Sequence, residues 1–171
     1  MNRPLLFLGL CWICLCSTPM LAHADELRVS KQKNILALES KSYVYTGSEV
    51  LNLYGVRIKH FITPEYYWGE VGYAAVGGQR SGYIEGGMLV GYFSSFFQQA
   101  WIDLSLSAGA AGGGLPQLEG GGFLLQPVLA VGVDWGGFNI GLHGGWEYFV
   151  NGSISSATWG LGVEKIFWSL Q

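Results

Sequence analysis

The feature that most constrains this chain is an alternating pattern of residues that recurs, with a break after each copy, from about residue 51 to the C-terminus. In the clearest copy, Ala100 to Ala108, Ile102 and Leu104 share the apolar face and mostly polar side chains lie between them. Alternation with a period of two indicates a β-strand. Each copy has about ten to twelve residues, roughly twice an ordinary strand and close to what a tilted strand needs to cross a bilayer.

The alternating segments and the breaks between them predict eight strands. The first lies somewhere between residues 34 and 45, and the others at about 51–61, 66–76, 82–93, 100–108, 122–133, 138–148 and 155–168. The breaks alternate in length: they are short near Pro64, Ser94 and Asp134, and longer near Gln79, residues 110–121 and Asn151. Short turns at one end and longer loops at the other are typical of an antiparallel up-and-down barrel. We therefore predict an all-β fold, an eight-stranded antiparallel transmembrane β-barrel.

Composition supports a membrane location without a spanning helix. Only 12% of the residues are charged and the mean hydropathy is +0.30, whereas a soluble domain carries about 25% charge. After residue 24 no apolar run is long enough for a transmembrane helix. The net charge of -3 offers no basic surface for nucleic acid. A transmembrane barrel explains why the chain is apolar overall but has no long apolar run, because each of its strands is apolar on one face only.

The N-terminal 24 residues have the pattern of a secretory signal peptide. Arg3 is followed by an apolar run, and the small-x-small sequence at residues 22–24 precedes two acidic residues. An uncleaved membrane anchor is the alternative, but the apolar run is short for one. All three cysteines, Cys11, Cys14 and Cys16, lie in this segment. We therefore expect a signal peptide at 1–24 and an exported, cysteine-free barrel domain at 25–171.

The polar faces of the strands are expected to point inward, because a charge facing hydrocarbon near the midplane costs roughly 2 to 4 kcal/mol. This assigns a luminal polar network to Arg57, Lys59, Glu70, Glu85, Asp103, Gln126, His143, Glu147 and Glu164. On the third strand the assignment turns Trp68 inward and Tyr67 and Tyr73 outward. Carboxylates exceed cations in this set, so water with a protonated His143, a bound cation or carboxyl protonation must balance the charge. We favour the first, and expect no metal and no cofactor.

Eight strands of this length, the alternating breaks and the aromatic residues near strand ends resemble the small bacterial outer-membrane barrels of the OmpA and OmpX type. The resemblance implies residence in the outer membrane of a Gram-negative envelope, contact with membrane lipid and lipopolysaccharide, and insertion by the outer-membrane assembly machinery. Substrates of that machinery usually end on an aromatic residue. Here Ser169, Leu170 and Gln171 follow Trp168.

Three functions are compatible with the pattern. A non-enzymatic barrel that is structural or presents its external loops to a partner fits best, and it would not be an open porin because eight strands leave little lumen. Some eight-stranded barrels are lipid A deacylases in which a serine lies two residues after the histidine, but here Gly145 follows His143 at that spacing. We therefore assign no catalytic residue. A soluble lipocalin-like barrel for an apolar ligand would require the apolar faces to lie inside.

Overall fold

The computed structural model describes residues 31–44, 50–76, 82–97, 99–113, 122–150 and 155–170. These residues form eight consecutive antiparallel strands in a closed barrel, in which β1 pairs with β8. The predicted eight-stranded antiparallel fold is confirmed. The strands are β1 (Lys31–Val44), β2 (Val50–Phe61), β3 (Tyr66–Ala75), β4 (Ile84–Phe96), β5 (Ala100–Gly112), β6 (Gly122–Trp135), β7 (Phe138–Phe149) and β8 (Ser155–Leu170).

Strand β1 begins earlier than its sequence pattern indicates. Lys31 and Lys33 precede the predicted range of 34–45, but they pair with Leu170 and Trp168 of β8. The pairing with β8 closes the sheet, and it leaves no edge whose backbone groups would be unsatisfied in lipid. The predicted signal peptide and residues 25–30 lie outside the described residues.

The connections at one end of the barrel are short, and we call this the short-turn end. Residues 62–65 join β2 to β3, the segment between Phe96 and Ala100 joins β4 to β5, and Gly136 and Gly137 alone join β6 to β7. Both glycines have positive φ, 63° and 85°, as a two-residue turn that follows the twist of the strands requires. The turn predicted at Ser94 is wrong, because β4 continues to Phe96 and its Ser94 pairs with Ile102.

The four other connections, centred on residues 45–49, 77–81, 114–121 and 151–154, mark the opposite end, which we call the loop end. The predicted loops near Gln79 and Asn151 lie outside the described residues, as does most of the predicted break at 110–121. Residues 110–112 of that break belong to β5 and pair with β4 and β6.

The barrel has its apolar side chains outside and its charges inside. Leu104, Leu142 and Leu161 point outward and are 55%, 60% and 59% exposed. Lys59 and Asp103, by contrast, are each 1% exposed. A soluble protein has the reverse arrangement. The orientation predicted for β5, β7 and β8 therefore agrees with the structure.

Two clusters of buried apolar side chains close the interior near its ends. The loop-end plug consists of Tyr43, Leu51, Leu53, Tyr73, Ala75, Tyr83, Leu124 and Phe149. The short-turn plug consists of Ile35, Phe61, Tyr67, Leu89, Phe93, Trp101 and Ala130. In the second, Phe93 stacks on Trp101 with ring centroids 5.6 Å apart. The charged side chains lie between the two plugs.

Strand β3 faces the opposite way from its prediction. Tyr67 and Tyr73 are buried in the lumen, at 2% and 5% exposure, whereas Trp68 is 39% exposed on the outside. Both faces of this strand carry aromatic residues, so apolarity does not distinguish them. The tyrosines point inward because their hydroxyl groups find charged partners there, Asp103 for Tyr67 and Glu39 for Tyr73.

Candidate functional site

The lumen between the two plugs contains a charged network in three layers, each centred on a cation. From the short-turn end to the loop end, these are the Lys59 cluster, the Arg57 cluster and the Lys41 cluster. The order follows from the strands: Lys59 is two residues from the short-turn end of β2, Arg57 is four, and Lys41 is three residues from the loop end of β1.

The Lys59 cluster joins four strands. The Lys59 ammonium donates to Asp103 Oδ2 at 2.5 Å and to Glu164 Oε1 at 2.6 Å. The Tyr67 hydroxyl donates to the other oxygen of Asp103 at 2.5 Å. Both oxygens of Asp103 are therefore engaged, and hydrogen bonds to charged groups of this kind are among the stronger ones in proteins.

The Lys41 cluster repeats this arrangement one strand further round the barrel. Lys41 lies on β1 and donates to Glu85 on β4 and to Glu147 Oε2 on β7, the latter at 2.8 Å. Lys59 bridges β2, β5 and β8 in the same relation. The hydroxyl of Tyr43 is 3.4 Å from Glu85 Oε1 and donates to Tyr83 at 3.2 Å.

The Arg57 cluster lies between the two lysines. Arg57 donates to the Tyr73 hydroxyl at 3.3 Å and to Ser105 Oγ at 3.2 Å, and its guanidinium is 3.3 Å from Glu39. Glu39 also accepts a hydrogen bond from Tyr73, and it lies 3.8 Å from His143 Nδ1. The planar guanidinium suits this position because it offers several donors in fixed directions.

The network does not pair every polar atom with protein. In the described part of the chain, six buried side-chain atoms have no hydrogen-bond partner: Arg57 Nε, Trp101 Nε1, Asn139 Nδ2, His143 Nε2, Glu147 Oε1 and Glu164 Oε2. Buried polar groups of this kind are usually satisfied by internal water. The buried carboxyl groups of Glu39, Glu85, Asp103, Glu147 and Glu164 also outnumber the three fully buried cations, so the excess of carboxyl groups that the sequence indicated is present in the lumen.

Eight of the nine predicted luminal residues lie in the lumen: Arg57, Lys59, Glu85, Asp103, Gln126, His143, Glu147 and Glu164. Gln126 donates to Thr158 at 3.3 Å. The assignment of Glu70 to the lumen is wrong, because it follows the inverted face of β3 and points outward with its side chain 47% exposed.

Glu39 and Lys41 were not among the predicted luminal residues, although they complete the Arg57 cluster and the Lys41 cluster. Both lie on β1, whose limits were not predicted. A signal was present, because Ala37, Glu39 and Lys41 alternate with the outward-facing Leu36 and Leu38. The polar Ser40 and Ser42 continue the outer face and obscure the pattern.

Glu70 belongs to a polar chain on the outer surface. Its carboxylate is 3.2 Å from His60 Nε2, and His60 Nδ1 is 2.7 Å from Asn34 Oδ1. Asn34 in turn donates to Ser169 Oγ at 2.9 Å. The His60 ring packs against Trp68 at 4.8 Å between centroids.

Neither His60 nor His143, the two histidines among the described residues, has the surroundings of a catalytic base. His143 is buried in the lumen beside Arg57 and Glu39, behind the wall of the barrel. His60 contacts a carboxylate and an amide through its two nitrogens, which leaves neither nitrogen free to accept the proton of a serine nucleophile. The described residues contain no group of three histidine, cysteine or acidic side chains arranged to hold a metal ion.

Solved structures with the same fold are outer-membrane proteins. The N-terminal β-barrel domain of Pseudomonas aeruginosa OprF is 13% identical, with a TM-score of 0.59 over 80% of this chain and 99% of that one. Yersinia pestis Ail in a phospholipid bilayer nanodisc is 9% identical (TM-score 0.54, 80% and 99% covered). Neisserial surface protein A is 13% identical (TM-score 0.52, 81% and 99% covered).

The resemblance to the small eight-stranded outer-membrane barrels is thereby confirmed at the level of the fold. No protein-family model matches the chain, and no curated protein sequence matches it. No helix among the described residues has the length and apolarity needed to cross a bilayer.

Proposed function

We propose that this chain is a non-enzymatic protein of the bacterial outer membrane, exported by its N-terminal 24 residues and anchored by residues 25–171. The observation that carries the proposal is the inverted distribution of side chains around a closed sheet. Leucines that are more than half exposed surround a core of fully buried lysines and carboxylates. A hydrocarbon surrounding makes this arrangement favourable, because every strand is paired and most of the charged side chains on the strands are inside.

The interior supports a structural role rather than transport. Lys41 and Lys59 link opposite walls of the barrel, and Arg57 reaches across the lumen to Ser105. An apolar plug lies on either side of these residues. An eight-stranded barrel is just wide enough to be filled by side chains. The parts left to interact with partners are the connections at the loop end, which would face outward from the cell.

Fractionation and a substitution on the outer face test the membrane assignment. The protein should sediment with outer membranes, should require detergent for extraction, and should migrate differently on gels with and without heating. Leu104→Arg places a charge on the lipid-facing side of β5 and should strongly reduce assembly, whereas Leu104→Met should not. Release of the native protein into detergent-free buffer as a monodisperse species would refute the proposal.

The sealed interior gives a second test. In planar lipid bilayers the purified protein should show no stable open channel, because the salt-bridged layers block the lumen. A defined, persistent conductance would contradict the structural role. Loss of acyl chains from lipopolysaccharide on expression would instead favour the enzymatic alternative, and it should then depend on His143 or His60.

A further inference from the structure

The excess of carboxyl groups in the lumen lies in one place. In the Lys59 and Arg57 clusters, with Lys33 beside them, carboxyl groups and cations are equal in number. The three of each kind are Glu39, Asp103 and Glu164 against Lys33, Arg57 and Lys59. At the loop end, Glu85 and Glu147 have Lys41 alone as a salt-bridge partner among the described residues. The Lys41 cluster is therefore one positive charge short.

The two carboxyl groups of this cluster lie close together. Both contact the ammonium of Lys41, and they are within hydrogen-bonding reach of each other. Glu147 is 0% exposed, and its Oε1 has no donor among the described residues. Two ionised carboxylates repel each other and neither has a donor to offer, whereas one proton between them supplies the donor and removes one charge.

We propose that the Lys41 cluster binds one proton at neutral pH, shared between the carboxyl groups of Glu85 and Glu147. The site then holds one ammonium, one carboxylate and one carboxylic acid, and its net charge is zero. Carboxyl pairs in direct contact take up a proton in this way because both members cannot be ionised together. The proton removes a charge that would otherwise be buried without compensation.

The titratable groups around the pair include one other possible source of positive charge. Among the described residues they are Lys41 and Tyr43 on β1, Tyr73 on β3, Tyr83 before β4 and His143 on β7. A tyrosine cannot carry a positive charge, so the alternative is His143. Its Nδ1 lies 3.8 Å from Glu39, which already has Arg57 as a partner. A proton on His143 would therefore lie in the Arg57 cluster and would leave the Lys41 cluster short.

Infrared spectroscopy of the protein folded in detergent micelles tests the site directly, because a carboxylic acid has a carbonyl stretching band that a carboxylate lacks. We expect this band in the parent protein at neutral pH. Glu147→Gln should abolish it, because Glu85 then pairs with Lys41 alone. The matched control is Glu164→Gln, which neutralises the corresponding partner of Lys59 and should leave the band in place. A parent spectrum without the band would overturn the proposal, as would a band that survives Glu147→Gln.

The stability of the same two variants gives a second result. Glutamine has the shape of a protonated glutamate, so Glu147→Gln should change the unfolding equilibrium constant by less than about tenfold at neutral pH. Glu164→Gln removes an ionised partner from a buried pair and should raise that constant about a hundredfold. Equal losses of stability in the two variants would count against a protonated Glu147 and overturn the proposal.

Further measurements separate the remaining outcomes. His143→Gln should keep the infrared band, and its loss in that variant would overturn the assignment to Glu85 and Glu147. The heat-dependent gel shift shows whether each variant is folded, and if Glu147→Gln is not, Glu85→Gln repeats the test on the other carboxyl group. None of these readouts depends on the membrane assignment. Folded protein without the band therefore counts against the proton site alone, and failure to sediment with outer membranes counts against the proposed function alone.

Discussion

The two lysine clusters of the lumen have the same design but different surroundings. In each, one ammonium bridges two carboxylates that lie three strands ahead and two strands behind, and the first partner follows 44 residues later in both. At the short-turn end, Asp103 also interacts electrostatically with Arg57, and Glu164 with Lys33. By direct contact the clusters are alike, because Lys59 alone pairs with Asp103 and Glu164, and Lys41 alone pairs with Glu85 and Glu147, among the described residues. At the loop end, Lys41 is the cation whose charge acts most strongly on Glu147.

From this difference we expect that the geometry of a buried ion pair does not by itself set how much free energy of unfolding is lost when the pair is broken. Removing one partner of such a pair is harmful mainly because the other charge stays buried without compensation. When its lysine is removed, a cluster with other cations nearby should therefore lose less free energy of unfolding than a cluster without them. The two lysines therefore provide an internal comparison within one molecule, with the same amino acid, the same exposure of 1% and the same number of carboxylate partners.

The largest effect is expected for Lys41→Met, which leaves Glu85 and Glu147 facing each other. We expect a loss at the upper end of the range for breaking a buried pair, about 5 kcal/mol in the free energy of unfolding. Urea titration in detergent micelles, followed by the folded band on unheated gels, measures it. Adding Glu85→Gln and Glu147→Gln should recover most of the loss, and a triple variant no more stable than Lys41→Met would show that packing is responsible.

A smaller loss is expected for Lys59→Met, about 3 kcal/mol, because Arg57 and Lys33 remain near the carboxylates. The same titration measures it. Combining it with Lys33→Met should reduce the difference between the two clusters, and the part that remains measures the contribution of Arg57. If Lys59→Met alone is as destabilising as Lys41→Met, Arg57 and Lys33 do not compensate the charges of Asp103 and Glu164.

The tyrosines give a finer comparison. Tyr67→Phe removes a hydrogen bond of 2.5 Å to Asp103 and should lower stability by about 1.5 to 3 kcal/mol. Tyr43→Phe removes longer contacts, at 3.2 Å to Tyr83 and 3.4 Å to Glu85, and should lower it by about 0.5 to 1.5 kcal/mol. For the tyrosines, the larger loss of stability is thus expected in the Lys59 cluster, whereas for the lysines it is expected in the Lys41 cluster. Equal losses for the two tyrosine variants would mean that the Tyr67 hydroxyl adds little stability to what the Lys59 contact with Asp103 already provides.

The sequence predicts the barrel well because the alternation is strict where one face is charged. In β5, Asp103 lies between Ile102 and Leu104, and this fixes both the strand and its orientation. Strand β3 lacks that contrast, since Tyr67 and Trp68 are neighbours of similar apolarity. Its orientation depends on hydroxyl partners that belong to other strands, and the misplacement of Glu70 follows from this.

The partners of the luminal charges could not be predicted from the sequence, for a different reason. Lys41 meets Glu85 and Glu147 only because of the stagger between neighbouring strands, which sets the residues that share a level of the lumen. That stagger depends on where β1 starts, and β1 had no clear pattern. The identity of most luminal residues was therefore predictable, but their partners were not.

The long reach of the luminal salt bridges has a consequence for how the barrel forms. Lys41 and Glu147 are 106 residues apart, and Lys59 and Glu164 are 105 apart, so neither bridge can exist before the first and last strands have met. Until then the ions must stay hydrated. We therefore expect these charges to become buried at the same late, cooperative step in which the first and last strands pair. Before that step, an open sheet would expose unpaired backbone groups and charges to the bilayer, which is unfavourable.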